Sequence, residues 1–309
     1  MKPQNIWRAF GGSAIVMLGT GAWYVFMAGA PQLDPPLVQS AQQMQQEGLS
    51  FHLESFMSQA MKATRTYGVI LPPGYSQNST QHYPVIFLLH GGHDDARAYI
   101  DKYGMAQVLA DLYQSHKLEP SIIITPDGND QRGSSPLWDP QYFDGPNGRV
   151  ATLIGSELVQ VVKERYRTSE SPKFWAMGGI SSGGWGAFNI GLRYLNHFNI
   201  LFSHSGYFTD SSGATNSPNQ FIQTLPLAQL KQLRGVYLDA GENDTDFLTS
   251  TQQFHETLNR LGVTNKFYAF PGGHGLSGPN IGWNYFHKHL YDSLTYIGAE
   301  FQRASSPVS

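Results

Sequence analysis

One serine of the chain lies in a glycine-rich pentapeptide that is typical of a catalytic nucleophile. Residues 179–183 read Gly-Ile-Ser-Ser-Gly, which is the pattern G-x-S-x-G, and they follow the apolar residues 174–177. A helix-like run, residues 184–194, comes next. A strand, a tight glycine turn and a helix are the elements that lift a serine hydroxyl above a sheet. The pentapeptide alone could be an ordinary glycine turn, but this flanking pattern predicts that Ser181 is a nucleophile.

A histidine further along the chain could activate this serine. His274 lies in the segment Pro-Gly-Gly-His-Gly, residues 271–275, directly after a predicted strand. A serine hydroxyl is a poor nucleophile until an imidazole takes its proton. The imidazole in turn needs a carboxylate that fixes its tautomer and stabilises its charged form. We therefore predict that His274 is the general base and look for an acid between it and Ser181.

The acid is predicted from a cluster of carboxylates at residues 239–246, after another predicted strand. Asp239 belongs to the strand itself and can be structural. Asp244 lies a few residues into the loop, where its side chain can turn back toward the histidine. Asp246 and Glu242 remain alternatives. With Asp244 as the acid, the order along the chain is serine, acid, histidine, which is the order in α/β-hydrolases.

Backbone amides should stabilise the oxyanion that forms when the serine attacks. One donor is predicted to be the N–H of Ser182, the residue after the nucleophile. The second is expected in the segment Leu-Leu-His-Gly-Gly-His, residues 88–93, because glycines let the backbone approach a substrate oxygen. We predict Gly92 as this donor, with Gly91 as the alternative.

The elements that would position these groups alternate along the chain. Continuous apolar runs such as residues 85–89 predict strands that are buried on both faces. Strands joined by crossover helices form a mainly parallel sheet that is covered on both faces, so we predict an α/β fold. Ligands bind such sheets at the carboxyl ends of the strands. The predicted strands are 51–56, 64–71, 85–89, 121–125, 174–178, 236–239 and 266–270, and the predicted helices are 99–115, 154–166, 184–194 and 248–261.

Length and composition predict a single enzyme-sized domain and exclude several classes of protein. The chain has 309 residues, which suffices for one α/β domain, predicted here at residues 49–300 with a disordered tail at 301–309. The net charge of −3 and the absence of a basic stripe argue against a nucleic-acid partner. Because the chain has no cysteine, disulfides, a thiolate nucleophile and cysteine-ligated zinc are excluded.

The N-terminal residues predict a membrane or export signal. Lys2 and Arg8 precede an uncharged stretch, residues 9–33, which is long enough to span a bilayer. Residues 28–30 form a small-x-small cleavage pattern, but Pro31 disfavours cleavage. We predict a signal anchor or a signal peptide at 1–33, a proline- and glutamine-rich linker at 34–48, and a domain outside the cytoplasm, either anchored or secreted.

Two long segments are predicted to shape the substrate pocket, because long loops in such a domain often form lids or walls. Residues 128–150 contain Trp138, Tyr142 and Phe143, which we assign as candidate substrate-binding residues for a sugar or an aryl group. Equally, these rings could only anchor the loop. The second segment, residues 207–226, is rich in serine, threonine and asparagine.

Four segments together resemble the esterase family related to esterase D. They are Leu-Leu-His-Gly-Gly at 88–92, Gly-Ile-Ser-Ser-Gly-Gly-Trp-Gly-Ala at 179–187, Gly-Glu-Asn-Asp at 241–244 and Pro-Gly-Gly-His at 271–274. That family includes feruloyl esterases, S-formylglutathione hydrolases, enterochelin esterases and antigen 85 mycolyltransferases. The resemblance covers residues 51–295 and implies an α/β-hydrolase fold, a Ser181–Asp244–His274 triad and no cofactor. It implies a small-molecule or glycan-linked ester as substrate, without choosing between them.

Other functions remain alternatives at this point. His90, His93, His287 and His289 superficially suggest a metal site, but the oxyanion loop explains the first pair better and an exposed helix face the second, so no metal is predicted. Acyl transfer to an acceptor other than water is an alternative to hydrolysis. A carbohydrate-binding module on a hydrolase fold would be favoured only if a triad member were missing.

Overall fold

The computed structural model describes residues 32–75, 80–135 and 137–306. The predicted N-terminal signal segment therefore lies almost entirely outside the described residues, and it stays a prediction. Among the helices of the described residues, none combines the length and the apolar character that a bilayer crossing requires.

An eight-stranded, mostly parallel sheet forms the centre of the molecule and confirms the predicted α/β fold. The strands follow in the spatial order β1-β2-β4-β3-β7-β8-β9-β10. β1 and β2 form an antiparallel hairpin, and β2 also pairs antiparallel with β4, whereas all later neighbours are parallel. The strands of this sheet are β1 Ser50–Ser58, β2 Ala63–Leu71, β3 Val85–Leu89, β4 Ile122–Pro126, β7 Trp175–Ile180, β8 Ile200–His204, β9 Gly235–Gly241 and β10 Asn265–Phe270, and a separate two-stranded ribbon contains β5 Asp144–Gly145 and β6 Gly148–Arg149.

Helices cover both faces of the sheet, as crossovers between parallel strands require. In chain order they are α1 Ala41–Gln46, α2 Ala98–Asp101, α3 Met105–Gln114, α4 Val150–Thr152, α5 Leu158–Arg165, α6 Ser182–Gly191, α7 Pro218–Phe221, α8 Leu227–Leu230, α9 Thr245–Arg260 and α10 Trp283–Ser305. A π-helical turn, Leu153–Glu157, joins α4 to α5, and short 3-10 turns occupy Pro172–Phe174, Ala214–Asn216 and Ile222–Thr224.

The central strands are buried on both faces because their side chains alternate between two hydrophobic cores. In β3, Phe87 and Leu89 belong to the core on one face, and Ile86 and Leu88 belong to the core on the other. All five side chains of β3 are completely buried. Because the strands from β4 to β10 in the spatial order run parallel, their carboxyl ends lie at one edge of the sheet. The candidate site lies at this edge.

Both ends of the described chain differ from the sequence prediction. Residues 34–48 are predicted to be a linker, but they pack on the domain: α1 has a capping box at Ser40 and buries Met44. The predicted disordered tail is wrong for residues 301–305, because α10 continues to Ser305 and Phe301 is completely buried. In both segments a few apolar residues, such as Met44 and Phe301, are buried in the core. The polar residues around them led the sequence analysis to predict a linker and a disordered tail.

Strand β8 was not predicted from the sequence. This strand carries a buried histidine, His204, whose two ring nitrogens are both hydrogen-bonded. Nδ1 of His204 lies 2.7 Å from Oδ2 of Asp239, and Nε2 lies 3.0 Å from Oγ of Ser293. The side chains of His204 and Asp239 have no exposed surface, and the hydroxyl of Tyr285 donates to Oδ1 of Asp239 at 3.1 Å. This Ser293–His204–Asp239 group joins β8, β9 and α10. Since none of the three lines the cleft described below, we assign them a structural role.

Removing the imidazole of this buried group should destabilise the fold. His204→Leu leaves the carboxylate of Asp239 buried without its histidine partner, which typically costs about 3–5 kcal/mol of unfolding free energy. Urea unfolding followed by circular dichroism measures this loss. The exposed His52 on β1 provides the control, since His52→Ala should change the unfolding free energy by less than about 0.5 kcal/mol. Equal effects of the two changes would refute the structural assignment.

Candidate active site

Ser181 occupies a strained turn between β7 and α6. Its φ of 55° and ψ of −120° lie in a region that non-glycine residues rarely adopt. A Cβ at Gly179 would lie 2.4 Å from the backbone of Gly183, and a Cβ at Gly183 would lie 2.1 Å from the carbonyl oxygen of Leu89. Only glycine therefore fits at these two positions, and the turn has the geometry of a nucleophile elbow.

Hydrogen bonds from the neighbouring strand hold this turn in place. The amide of Ser181 donates to the carbonyl of His204 at 2.9 Å, and the amide of Ser205 donates to the carbonyl of Asp239 at 2.8 Å. The ends of β7, β8 and β9 are thus tied together directly below the candidate site. The strain at Ser181 persists because these contacts fix the backbone on both sides.

Asp244 and His274 form a bonded pair, as the sequence analysis predicted for the acid and the base. Oδ2 of Asp244 lies 2.8 Å from Nδ1 of His274. The amide of His274 also donates to both carboxylate oxygens, at 2.8 and 3.0 Å. The alternative acids are placed elsewhere: Asp239 bonds His204, and Glu242 and Asp246 are exposed. The pair therefore brings together the two residues chosen from distant segments.

The carboxylate of Asp244 is stabilised in its ionised form. Burial alone would raise the pKa of Asp244, but the hydrogen bond and the charge of His274, together with the backbone amide, outweigh it and lower the pKa below its usual value. Asp244 therefore stays ionised throughout the range in which histidines change their charge. An ionised acceptor keeps the Nδ1 proton in place, which leaves Nε2 of His274 free to accept a proton.

The ring of His274 is held between aromatic side chains, with its second nitrogen unbonded. Phe247 stacks on the imidazole at a centroid distance of 4.6 Å, and Phe286 meets it edge-on at 5.2 Å. Nε2 is buried, and among the described residues it has no hydrogen-bond partner, Ser181 included. Ser181 and His274 line the same cleft. Hydrogen bonds between catalytic groups are often long in free enzymes and shorten when substrate binds.

The predicted oxyanion donors lie beside Ser181. The amide of Ser182 belongs to the first turn of α6, where amides have no acceptor within the helix. Gly91 and Gly92 both line the cleft, and a Cβ on Gly91 would lie 3.6 Å from Cβ of Ser181. Gly92 remains our predicted second donor and Gly91 the alternative.

His90 holds the oxyanion loop, a role that the sequence analysis did not assign. The amide of Gly128 donates to Nε2 of His90 at 3.0 Å, so the ring proton is placed on Nδ1, which bonds the carbonyl of Gly91 at 2.9 Å. The hydroxyl of Tyr142 donates to the carbonyl of His90 at 2.8 Å. The histidine of the Leu-Leu-His-Gly-Gly segment thus fixes the glycines that follow it. The two glycines that directly follow His90 were the sequence feature that could have indicated this role.

A cleft of about 730 Å³ opens above these groups. The carboxylate of Asp139 lies against the oxyanion loop, because a Cβ on Gly92 would lie 2.2 Å from Oδ1 of Asp139. Asp94 is paired with Lys102 and accepts a hydrogen bond from Tyr103 at 2.8 Å. The cleft therefore combines charged groups with apolar walls. Its lining also includes Gln32, His93, Leu276, Trp283 and Phe286.

The three aromatic residues predicted to bind substrate do not line this cleft. Tyr142 is completely buried, its hydroxyl is used by His90, and its ring packs on Trp185, so that prediction is wrong. Phe143 also packs against Trp185, with the rings edge-on. Trp138 donates to the carbonyl of Gly133 at 3.0 Å and lies under the guanidinium of Arg132. These rings anchor the loop, the other role considered for them, and Asp139 is the residue of this loop that reaches the cleft.

The histidines that suggested a metal site are occupied by other contacts. Nδ1 of His287 bonds the carbonyl of Tyr103 at 3.0 Å. His289 stacks on Phe270 and is buried, so the expectation of an exposed helix face is wrong for this residue. Among residues 32–75, 80–135 and 137–306, no three histidine, aspartate or glutamate side chains come together as metal ligands.

Comparison with known protein families decides the affiliation of the chain. The family model described as "Putative esterase" matches residues 58–297, which include every residue of the candidate site described above except Gln32. The chain belongs to this esterase family. The resemblance stated from the four sequence segments is thereby confirmed.

Two curated relatives match the chain over about half of their own length. Esterase Rv1288 of Mycobacterium tuberculosis is 25% identical over 260 residues, a match that covers 71% of this chain and 54% of the relative. The chain thus spans about half the length of that protein. An uncharacterised protein of Corynebacterium glutamicum, Cgl0967/cg1104, is 22% identical over 227 residues and is likewise matched over 52% of its length.

Solved structures share the fold of this chain. A ferulic acid esterase superposes with a TM-score of 0.72 at 24% identity, covering 82% of this chain and 99% of the other. The Staphylococcus aureus serine hydrolase FphF, which binds fluorophosphonate, has a TM-score of 0.63 at 16% identity, with 81% and 98% covered. A ferulic acid esterase of Anaeromyces mucronatus, solved with ferulic acid, has a TM-score of 0.62 at 17% identity, with 87% and 100% covered. At these identities the likeness shows the α/β-hydrolase fold.

Proposed function

We propose that this protein is a serine esterase that hydrolyses carboxylic esters through Ser181, His274 and Asp244. The observation that carries the proposal is that the strained Ser181 lines the same cleft as His274, which is bonded to Asp244. A bonded acid and base next to an elbow serine form the arrangement that activates a hydroxyl for attack on an ester.

In the first half of the reaction, Oγ of Ser181 attacks the carbonyl carbon of the ester while Nε2 of His274 takes its proton. The carbonyl oxygen gains negative charge, and the amides of Ser182 and Gly92 donate to it. Collapse of this intermediate breaks the bond to the alcohol oxygen, which takes the proton back from Nε2 and leaves. An acyl group then remains on Ser181.

In the second half, a water molecule replaces the alcohol. Nε2 of His274 takes a proton from the water, whose oxygen attacks the acyl carbon, and the acid is released as Oγ of Ser181 recovers its proton. Asp244 stabilises the imidazolium in both halves. Hydrolysis follows when water is the acceptor, and transfer to another alcohol would use the same groups.

The cleft supports an ester with an apolar or aromatic part next to the reacting bond. Trp283, Phe286 and Tyr103 line it, and the structural neighbours include esterases named for ferulic acid. We propose a panel of short acyl, phenylacetyl and feruloyl esters as substrates for the full chain. A loss of all activity in Ser181→Ala, with unchanged activity in the presence of EDTA, tests the serine mechanism against a metal-dependent one.

Acidification should reduce the activity because His274 must be neutral to accept a proton. Since the lowered pKa of Asp244 keeps that carboxylate ionised in this range, a single group should account for the acidic limb of the profile. We expect kcat/KM to rise with a slope of one in log units and then to level off as the pH increases. A profile that is flat from pH 5 to 8 would contradict the role of His274 as base.

A further inference from the structure

The residues that precede α1 pack along the loop that carries His274. The amide of Leu33 donates to the carbonyl of Leu276 at 2.6 Å. Gln32 accepts from the amide of Trp283 at 2.6 Å and donates to the carbonyl of Ile281 at 2.9 Å. We call residues 32–37 the N-terminal clamp and residues 271–282 the histidine loop. The clamp is far from the loop in sequence but contacts it at Leu276, Ser277, Gly278 and Ile281.

Asp34 makes the densest set of these contacts. Its carboxylate accepts from the hydroxyl of Ser277 at 2.8 Å, from the amide of Gly278 at 2.8 Å and from the side-chain amide of Asn284 at 3.0 Å. The hydrogen bonds from Gly278 and Ser277 lower the pKa of Asp34, so the carboxylate is ionised at neutral pH. An ionised acceptor with several donors is a strong way to fix a loop.

The histidine loop needs external support because its own sequence favours disorder. Its five glycines, at positions 272, 273, 275, 278 and 282, all have φ between 56° and 149°. Glycine loses more backbone entropy on ordering than any other residue, so the contacts that order such a loop must offset a large cost. Asp244 bonds the loop only at His274. The amide of Asn243 bonds the carbonyl of Gly272 near the start of the loop. The clamp adds contacts at Leu276, Ser277, Gly278 and Ile281, from the middle of the loop onward.

The contacts of the clamp are transmitted to His274 through the backbone of the loop. Gly273 lies beside Ile281, and the amide of Gly282 donates to the carbonyl of Gly273 at 2.8 Å. Gln32 bonds Ile281 and Trp283, the two residues on either side of Gly282. Gln32 therefore supports the loop segment that bonds Gly273, the residue before His274.

We propose that the N-terminal clamp positions the general base, with Gln32 and Asp34 as positioning residues that act through the histidine loop. The consequence for catalysis rests on the proposed function, whereas the ordering of the loop does not. Nε2 of His274 has no bond to Ser181, so the reactive distance depends on how this loop is held. Small misplacements of catalytic groups reduce turnover by up to about 100-fold.

The test compares Asp34→Ala and Gln32→Ala in the full chain with the unchanged protein. Hydrogen–deuterium exchange should show faster exchange at residues 273–282 in both variants, by roughly 10-fold or more. With an ester that the unchanged protein hydrolyses, kcat should fall roughly 10-fold in both variants, because the base is misplaced. In Asp34→Ala, KM should change less than about twofold, because Asp34, unlike Gln32, does not line the cleft. Asp34→Asn retains an acceptor for the Gly278 amide and should recover part of both effects.

Val38→Ala is the matched control, since Val38 directly follows the N-terminal clamp in the chain and its side chain is exposed. It should leave loop exchange, kcat and KM unchanged. Loop exchange that is the same in Asp34→Ala, Gln32→Ala and Val38→Ala would overturn the proposal. Should Asp34→Ala fail to fold, exchange in Gln32→Ala and Asp34→Asn decides the question. A protein without esterase activity in any variant, but with faster loop exchange, would contradict the proposed function and leave the clamp supported.

Discussion

Ser181→Ala should lower kcat by at least roughly 1,000-fold, because the variant cannot form the acyl-enzyme. The methyl group of alanine fits the elbow without new contacts, so the thermal unfolding midpoint should hardly change. Steady-state hydrolysis of a short acyl ester and circular dichroism measure the two quantities. Labelling with a fluorophosphonate, followed by peptide mass spectrometry, should place the probe on Ser181 and disappear in the variant.

The matched control for this change is another serine in a loop. Ser212→Ala alters an exposed hydroxyl in the segment between β8 and β9, outside the cleft lining, and should leave kcat unchanged. A Ser181→Ala variant with more than about a tenth of the original kcat would exclude an obligatory covalent intermediate on this residue.

Asp244→Asn should lower kcat by roughly 10,000-fold, the loss known for triads in which the acid becomes an amide. Asn can donate a proton toward Nδ1 of His274, which forces the imidazole into the tautomer that cannot accept the serine proton. KM should change much less, since Asp244 is buried under the histidine and does not line the cleft.

Asp246→Asn is the control for the acid. Asp246 is an exposed carboxylate in the first turn of the same helix, α9, so the change removes the same charge two residues away. We expect its kcat to equal that of the unchanged protein. If Asp244→Asn and Asp246→Asn reduce kcat equally, the effect arises from the loss of negative charge in this region. The assignment of Asp244 as the acid then fails.

The fold could be predicted from the sequence mainly where buried strands are continuous and apolar. The runs at β3, β4 and β7 are of this kind, and the structure places each within one or two residues of its predicted limits. β8 escaped prediction because its short apolar run ends in Ser203 and His204, two polar residues that normally indicate a loop. Their polar groups are buried at the strand end, which only the three-dimensional arrangement reveals.

The site was predictable where local geometry restricts the residue type. The elbow requires glycine at 179 and 183, so it leaves a pattern in the sequence. The clamp leaves none: Gln32 and Asp34 are ordinary polar residues in a proline-rich stretch, and their partners lie more than 240 positions away. Tyr142 was misassigned for a related reason, since an aromatic residue in a long loop can face either the solvent or the core.

The described residues contain a second serine–histidine–aspartate group besides the proposed catalytic one. In Ser293, His204 and Asp239 both hydrogen bonds of the imidazole are formed, whereas Nε2 of His274 has no partner among the described residues. Ser293, His204 and Asp239 are completely buried, so no substrate and no covalent probe can reach them. Hydrogen-bond geometry alone would therefore favour Ser293 over Ser181, and only solvent access distinguishes the buried group from the proposed nucleophile.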